Sequence, residues 1–505
     1  MTTPSLKAGN LTECPAPVTV RQALLERRRR ENLCEDMTYE LSIMKSTFQS
    51  CCGDRLRGYI QGVGLDPFWV LFYVEEQVNV FIEQCKQGRL VLHVDSTGSV
   101  MRRIPQQKQP YYYAIVVADG SFPVCEFITT RHFHAWIMIM MDMFLNDARD
   151  LNDGKKVLPQ VIVVDFSFAL IYAVLLAFNR CTLSRYLQLT WNRLQVEEQL
   201  TPFPQVIVKL CCAHLLKAAA NRMCRREKQK EARQAALVLL SAMQKCCSLR
   251  RAGELYCAAK VILCTELETA EVADAKSSVL TESARESVPT DLADLPSPDM
   301  EPDGEAFKDL KRKSPFAVFF SEYVSQHYKE NAVSDQKQDK NVLYSPSCFD
   351  VITSFLPYYP MWSCLLGDDD LRQVHSNAVV ESHFRQLKLT TLQKRTRLRP
   401  GEIVRRELTY VKAKINERLL ADAEKSADAK HSTTQGKRRQ QTKKKRGRKT
   451  PESHEETWKR RPGRSSYRSP RTARRKLLLP KSTTRATNTT KSKVLGYYTF
   501  MFSEM

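Results

Sequence analysis

Two short apolar runs, Leu90-Val91-Leu92-His93-Val94 and Val161-Ile162-Val163-Val164, each lead straight into an aspartate, Asp95 and Asp165. Runs this rich in β-branched residues read as strands buried on both faces, which belong in parallel or mixed sheets covered by helices. A carboxylate closing such a strand conflicts with local preference, and conflicts of that kind concentrate at functional sites. The plain alternative, for either aspartate alone, is a strand end or a cap. A third acidic residue, Glu381, falls within the helical stretch Asn377-Ala378-Val379-Val380-Glu381-Ser382-His383-Phe384.

The surrounding pattern supplies the other elements. Arg89–Val94 reads as the first strand, with Ser96-Thr97-Gly98-Ser99 as a turn after it. Tyr111–Ala118 and Phe122–Thr129 read as strands joined by the hairpin signal Asp119-Gly120-Ser121. Residues 134–149 have helical spacing, Val161–Val164 is a fourth strand, Phe168–Asn179 a buried helix, and Gln205–Leu210 a fifth strand leading into a helix over Ala213–Met223. Three strands linked by hairpins, then strand–helix–strand–helix, predict an α/β fold: a mixed five-stranded sheet flanked by helices. Residues 1–84 are expected to form a mostly helical N-terminal region, with 66–86 packed on the domain that follows. Residues 85–225 hold the first part of the core. Residues 226–370 read as a helical insertion containing an acidic, Ser- and Pro-rich flexible loop at 267–305. Residues 371–420 carry the last helices. The aromatic clusters around Phe316–Tyr323 and Phe355–Trp362 are expected to pack rather than to stack on bases.

Charge is distributed unevenly. The formal net charge is +22 over 505 residues. From Ala421 to Met505 there are 24 Lys/Arg against 7 Asp/Glu, which leaves only about +5 of that total on the other 420 residues. A balanced globular part with a basic, apolar-poor tail favours a polyanionic partner and a tail disordered when free. The sixteen cysteines lack the spacing of a compact disulfide framework, residues 1–20 lack a secretory apolar core, and the longest apolar stretch, Ala169–Phe178, is too short to span a bilayer. The expectation is a reducing, intracellular, membrane-free setting.

Four motifs in order resemble the ribonuclease-H-like catalytic domain of Mutator-like (MULE-type) cut-and-paste transposases. They are His93-Val94-Asp95-Ser96-Thr97-Gly98-Ser99, Val163-Val164-Asp165-Phe166-Ser167-Phe168-Ala169-Leu170, Cys211-Cys212-Ala213-His214 and Ser376-Asn377-Ala378-Val379-Val380-Glu381. The likeness covers roughly residues 85–420, and a helical insertion before the last catalytic helix is typical of the family. It implies that Asp95, Asp165 and Glu381 are the catalytic, metal-holding carboxylates. It implies too that Cys211, His214 and Asn377 are motif residues, and that the partner is DNA at transposon ends. One departure stands out: Cys14, Cys34, Cys51 and Cys52 lack the paired spacing of the zinc module such transposases usually carry before the catalytic domain. The alternative is therefore a domesticated nuclear DNA-binding protein without cleavage activity. A third reading, an interaction scaffold built on helices at 226–266 and 307–330, has only generic patterning behind it.

The chemistry suits those residue types. Phosphodiester cleavage needs an activated water and a stabilised leaving oxygen, which two divalent ions can supply, and Mg2+ or Mn2+ favours carboxylate ligands. Asp95 is the natural bridge between two ions, with Asp165 and Glu381 on either side. Cys211 and His214, three apart on a first helical turn, would clamp a zinc or brace the site, and bracing is the preferred reading because no second ligand pair matches. His93 is expected on the sheet face opposite Asp95, and His383 is expected to diverge from Glu381. Arg385 and Lys388 follow Glu381 by four and seven, and Lys394, Arg395 and Arg397 form a denser basic stretch, all candidates for phosphate contact. In the tail, Arg446-Gly447-Arg448 resembles an AT-hook for A·T-rich duplex, with a weaker second copy around Arg461 and Arg464. A nuclear-localisation role is compatible with this and is the safest reading of the tail. A homo-oligomer is compatible with the family.

Overall fold

The computed structural model describes residues 18–23, 26, 33–50, 55–56, 58–88, 90–195, 206–280, 313–328, 339–367, 373, 375–421 and 423. The element order is α1 (Met37–Ser50), β1 (Ile60–Leu65), β2 (Phe68–Phe72), α2 (Glu75–Lys86), β3 (Val91–Thr97), β4 (Tyr111–Val117), β5 (Phe122–Thr129), α3 (His134–Leu151), β6 (Val161–Val164), α4 (Phe168–Val174), α5 (Leu183–Gln195) and β7 (Ile207–Leu210). Then follow α6 (Cys212–Arg226), α7 (Lys230–Gln244), α8 (Leu249–Cys264), α9 (Ala270–Val279), α10 (Pro315–His327), α11 (Pro346–Thr353), α12 (Tyr359–Trp362), α13 (Ala378–Gln386) and α14, residues 400–421.

The strands form one mixed sheet in the order β1-β2-β5-β4-β3-β6-β7. All neighbours are antiparallel except β3–β6 and β6–β7, which are parallel. The sheet therefore has seven strands, not the expected five. The extra pair is the β1–β2 hairpin, which lies inside the stretch expected to be mostly helical and joins the edge through β2–β5. Its sequence signal is weak because β1 contains Gly62 and Gly64, and glycine depresses strand propensity. The glycines are required by packing. The Trp69 indole lies over them, and a Cβ at Gly64 would fall 2.0 Å from its Nε1.

Helices cover both faces, which is why β4 and β5 are apolar at nearly every position. One face buries Leu92, Val94, Tyr113 and Ile115 against Phe81 of α2, Met140 and Phe144 of α3, and Ile171 of α4. The other buries Tyr112, Ala114, Val116 and Ile128 against Leu41 and Met44 of α1, Val380 and Phe384 of α13, and Ile403 and Val404 of α14. Glu40 of α1 is fully buried, with Arg399 at 3.2 Å and Arg405 at 3.0 Å.

The stretch read as an insertion packs through aromatic rings. Its aromatic residues reach the core beside Asp165: the Phe166 ring lies 5.5 Å from Phe355 and 6.2 Å from Tyr358, and Phe168 lies 5.7 Å from Tyr358. The start of the expected flexible loop is instead helix α9, capped by the Thr269 side chain accepting from the Val272 N–H and anchored by buried Val272 and Val279. Its acidic and serine-rich composition concealed those two anchors. Residues 281–312 and the basic tail lie outside the described residues. Among the described residues no single helix is long and apolar enough to cross a membrane.

Candidate metal centre

The parallel pairing of β3 with β6 sets the first relationship. Val94 lies opposite Val164, so Asp95 and Asp165 occupy the next positions on adjacent strands. Asp95 is buried, and its Oδ1 accepts the Ser96 N–H at 2.7 Å. Asp165 Oδ1 accepts the Ser167 N–H at 3.2 Å. Both carboxylates are thus held by a backbone N–H one or two residues further along the chain.

The remaining motifs are drawn in by hydrogen bonds. The Cys211 N–H donates to Val164 O at 2.7 Å, and the Cys212 N–H to His375 O at 2.9 Å. The Asn377 backbone N–H donates to Cys211 Sγ at 3.2 Å, and its side-chain Nδ2 to Val94 O at 3.3 Å. The start of α13 is therefore tied to both β3 and the start of α6. Glu381, one turn into α13, arrives beside Asp95.

His214 completes the cluster. One ligand atom each from Asp95, His214 and Glu381 lie within 4.8 Å of one another, and His214 Nε2 is 3.8 Å from Glu381 Oε1. Cys211 and His214 do not share a target. The cysteine accepts from Asn377, whereas the histidine faces the carboxylates.

The electrostatics are those of a site short of positive charge. Burial, then Asp165, then Glu381 push the Asp95 carboxyl well above its ordinary value. Burial also raises Glu381, opposed by Lys217. Burial pushes His214 down to about 4, with Lys217 adding to the effect, so its imidazole is neutral and its nitrogen lone pair free at neutral pH. Lys217 is the residue that sequence reading missed. It follows His214 by three on α6, a spacing that places both on one helix side.

The other candidates are dispersed. Lys388 donates from Nζ to Thr97 Oγ1 at 2.6 Å, at the end of the strand that carries Asp95, and Asp95 partly offsets the lowering of its pKa by burial. Arg385, Lys394 and Arg397 are exposed. The Arg397 N–H donates to Ser99 O at 3.4 Å and the Leu398 N–H to Val100 O at 3.1 Å, which fixes this basic stretch beside the loop after β3. Arg395 is ion-paired with Glu402 at 2.8 Å. His93 is on the same face as Asp95, not the opposite one. Strand side chains alternate with a period of two, and its partner Val116 belongs to the same cluster as Ala114, the partner of Asp95. Burial pushes His93 down to about 4, with Asn377 opposing the shift. His383 diverges from Glu381 and meets Glu126. Arg446, Gly447, Arg448, Arg461 and Arg464 lie outside the described residues.

Comparison with known proteins adds one independent finding. No family model matches the chain. It is 24% identical over 353 residues to the 120.7 kDa protein in the NOF-FB transposable element of Drosophila melanogaster, a match covering 67% of this chain but 32% of that protein. The matched part thus spans about a third of the relative's length. A distant homology to a transposable-element protein points to a transposon-derived origin for this chain.

Proposed function

We propose that this chain is a ribonuclease-H-like, MULE-type polynucleotidyl transferase that cuts and joins DNA strands with divalent metal. The observation that carries this reading is the convergence of Asp95, His214 and Glu381 within 4.8 Å, with Asp165 on the neighbouring strand. The five strands β5-β4-β3-β6-β7 support it. Asp95 lies toward the end of β3 and Asp165 just after β6, where the pairing changes from antiparallel to parallel, a place where α/β sheets commonly carry sites. The homology to a transposable-element protein is independent support.

The donor set fits Mg2+ or Mn2+. Carboxylate oxygens suit both, a single neutral imidazole suits Mn2+ somewhat better, and the raised Asp95 carboxyl marks a site that a cation would relieve. Asp95, Asp165 and Glu381 would hold the metal, with His214 beside Glu381. Bound there, divalent metal supplies Lewis acidity and a more acidic water or hydroxyl nucleophile. The protein's own part is positional. The Ser96 and Ser167 N–H groups orient the aspartates, Asn377 docks the helix that bears Glu381, and Lys217 and Lys388 bring positive charge for a DNA phosphate. The exposed Lys394 and Arg397, with the tail segments at Arg446–Arg448 and Arg461–Arg464, supply further phosphate and minor-groove contacts. DNA as partner and the nucleus as location follow from this reading.

Plasmid nicking tests it. With Mg2+ or Mn2+ the wild type should convert supercoiled DNA to the nicked form. Asp95→Ala, Asp165→Ala and Glu381→Ala should bind DNA equally and not nick. Binding without nicking by the wild type itself would favour the domesticated, non-cutting alternative.

A further inference from the structure

A second polar cluster lies on the sheet face that carries Asp95, and the proposed chemistry does not use it. The strand register places Asp95, Ala114 and Glu126 in one row across β3, β4 and β5. Helix α13 crosses that row, burying Val380 and Phe384 against Tyr112, Ala114 and Val116. At 3.6 residues per turn, Glu381 and His383 leave opposite flanks of this buried stripe. Glu381 meets Asp95 on one flank. On the other, His383 Nε2 lies 3.2 Å from Glu126 Oε1, both side chains fully buried. Glu126 is itself held, since the Tyr112 hydroxyl donates to Oε1 at 2.5 Å and the Tyr59 hydroxyl to Oε2 at 3.3 Å.

Apolar contacts beneath α13 are non-directional and leave its rotation about its own axis weakly specified. The site side resists the observed rotation, because Glu381 must sit among carboxylates, partly desolvated. Asn377 fixes where the helix starts. A second contact on the opposite flank would fix how it is turned, and the buried His383 Nε2, 3.2 Å from Glu126 Oε1 though off the line of a hydrogen bond, is placed to provide it. Ala114, with a single methyl between the two acidic residues of the row, leaves α13 room to touch both.

We propose that Glu126 and His383 are a positioning pair that sets the rotation of α13 and so aims Glu381 at Asp95. This inference rests on the metal-centre reading above.

The test is Mn2+ affinity by electron paramagnetic resonance, together with nicking kinetics, for His383→Leu, His383→Gln, Glu126→Gln and Glu381→Gln. His383→Leu should weaken Mn2+ binding about tenfold or more, the range seen when supporting partners of metal ligands are lost. It should also lower kcat while leaving KM for DNA unchanged. His383→Gln, which keeps a polar group toward Glu126, should recover most of the loss. Should His383→Leu fail to fold, Glu126→Gln carries the test, because it keeps the size while its amide oxygen accepts from one tyrosine hydroxyl and its amide nitrogen donates to the other. A folded His383→Leu or Glu126→Gln that binds Mn2+ as the wild type does overturns the positioning role. If Glu381→Gln also binds Mn2+ normally, the metal-centre reading itself fails. If Glu381→Gln loses the ion and the other variants keep it, only the positioning proposal fails.

Discussion

The side-chain amide of Asn377 donates to the carbonyl oxygen of Val94 at 3.3 Å, joining α13 to β3 across 283 positions of the chain. With the Cys211 contact it converts a long-range closure into a defined geometry, and Glu381 inherits its place from it. Asn377→Ala should cost about 1–3 kcal/mol, the usual penalty for breaking a buried polar contact. It should weaken divalent-metal binding as well. Chemical denaturation and a metal titration on one preparation check both, and loss of stability with unchanged metal affinity would separate Asn377 from the site.

The metal-free site is expected to trade stability for function. Asp95→Asn removes a buried carboxyl whose ionisation Asp165 and Glu381 oppose. It should raise the metal-free stability at pH 8 by about 1 kcal/mol, within the ordinary range for point substitutions. Thermal melting with chelator decides the matter, and a lower Tm for Asp95→Asn would contradict the electrostatic account.

The pH dependence follows with a definite sign. The folded-state carboxyls of Asp95, Glu381 and Glu407 are raised, each chiefly by burial. The folded protein therefore keeps protons that the unfolded chain has released. The stability these groups contribute is complete below the ordinary values of 3.8 and 4.5 and is lost as pH rises through the raised folded values. Metal-free stability attributable to them should fall above about pH 4. Saturating Mg2+ should reverse the part due to Asp95 and Glu381 but not that due to Glu407. Denaturation series with and without Mg2+ read the difference.

Part of this arrangement of side chains was legible in the sequence. Asp95 and Asp165 announce themselves because each breaks a run of β-branched residues, and Glu381 because its helix opens on Asn377. Lys388, seven positions on from Glu381, is found on Thr97 near the end of the strand that carries Asp95. Other features depended on packing. That His214 turns toward Glu381 while Cys211 serves Asn377 follows from how α6 is docked, which spacing alone leaves open. The β1–β2 hairpin was hidden by Gly62 and Gly64, whose reason is the ring of Trp69. Glu126 was unremarkable in a strand of apolar neighbours until the register set it in the row of Asp95.

The basic stretch after α13 separates into two kinds of residue. Lys394 and Arg397 are exposed, whereas Arg395 is paired with Glu402. Replacing Lys394 and Arg397 by Gln should reduce the salt slope of DNA binding by about two, one per phosphate contact. Arg395→Gln should change it less. Equal effects of all three would remove the distinction.

The tail makes a separate contribution. Deleting residues 436–476, which contain Arg446-Gly447-Arg448 and Arg461 to Arg464, should weaken DNA binding and flatten its salt dependence. Mg2+-dependent nicking per bound complex should persist. Unchanged affinity would take the tail out of DNA recognition.

The most direct test is calorimetric titration of Mn2+ into the wild type and into Asp95→Asn, Asp165→Asn and Glu381→Gln. Saturable binding by the wild type that is lost or severely weakened in every one of the three is the predicted result. Wild-type affinity in any folded one of them would contradict a shared metal centre.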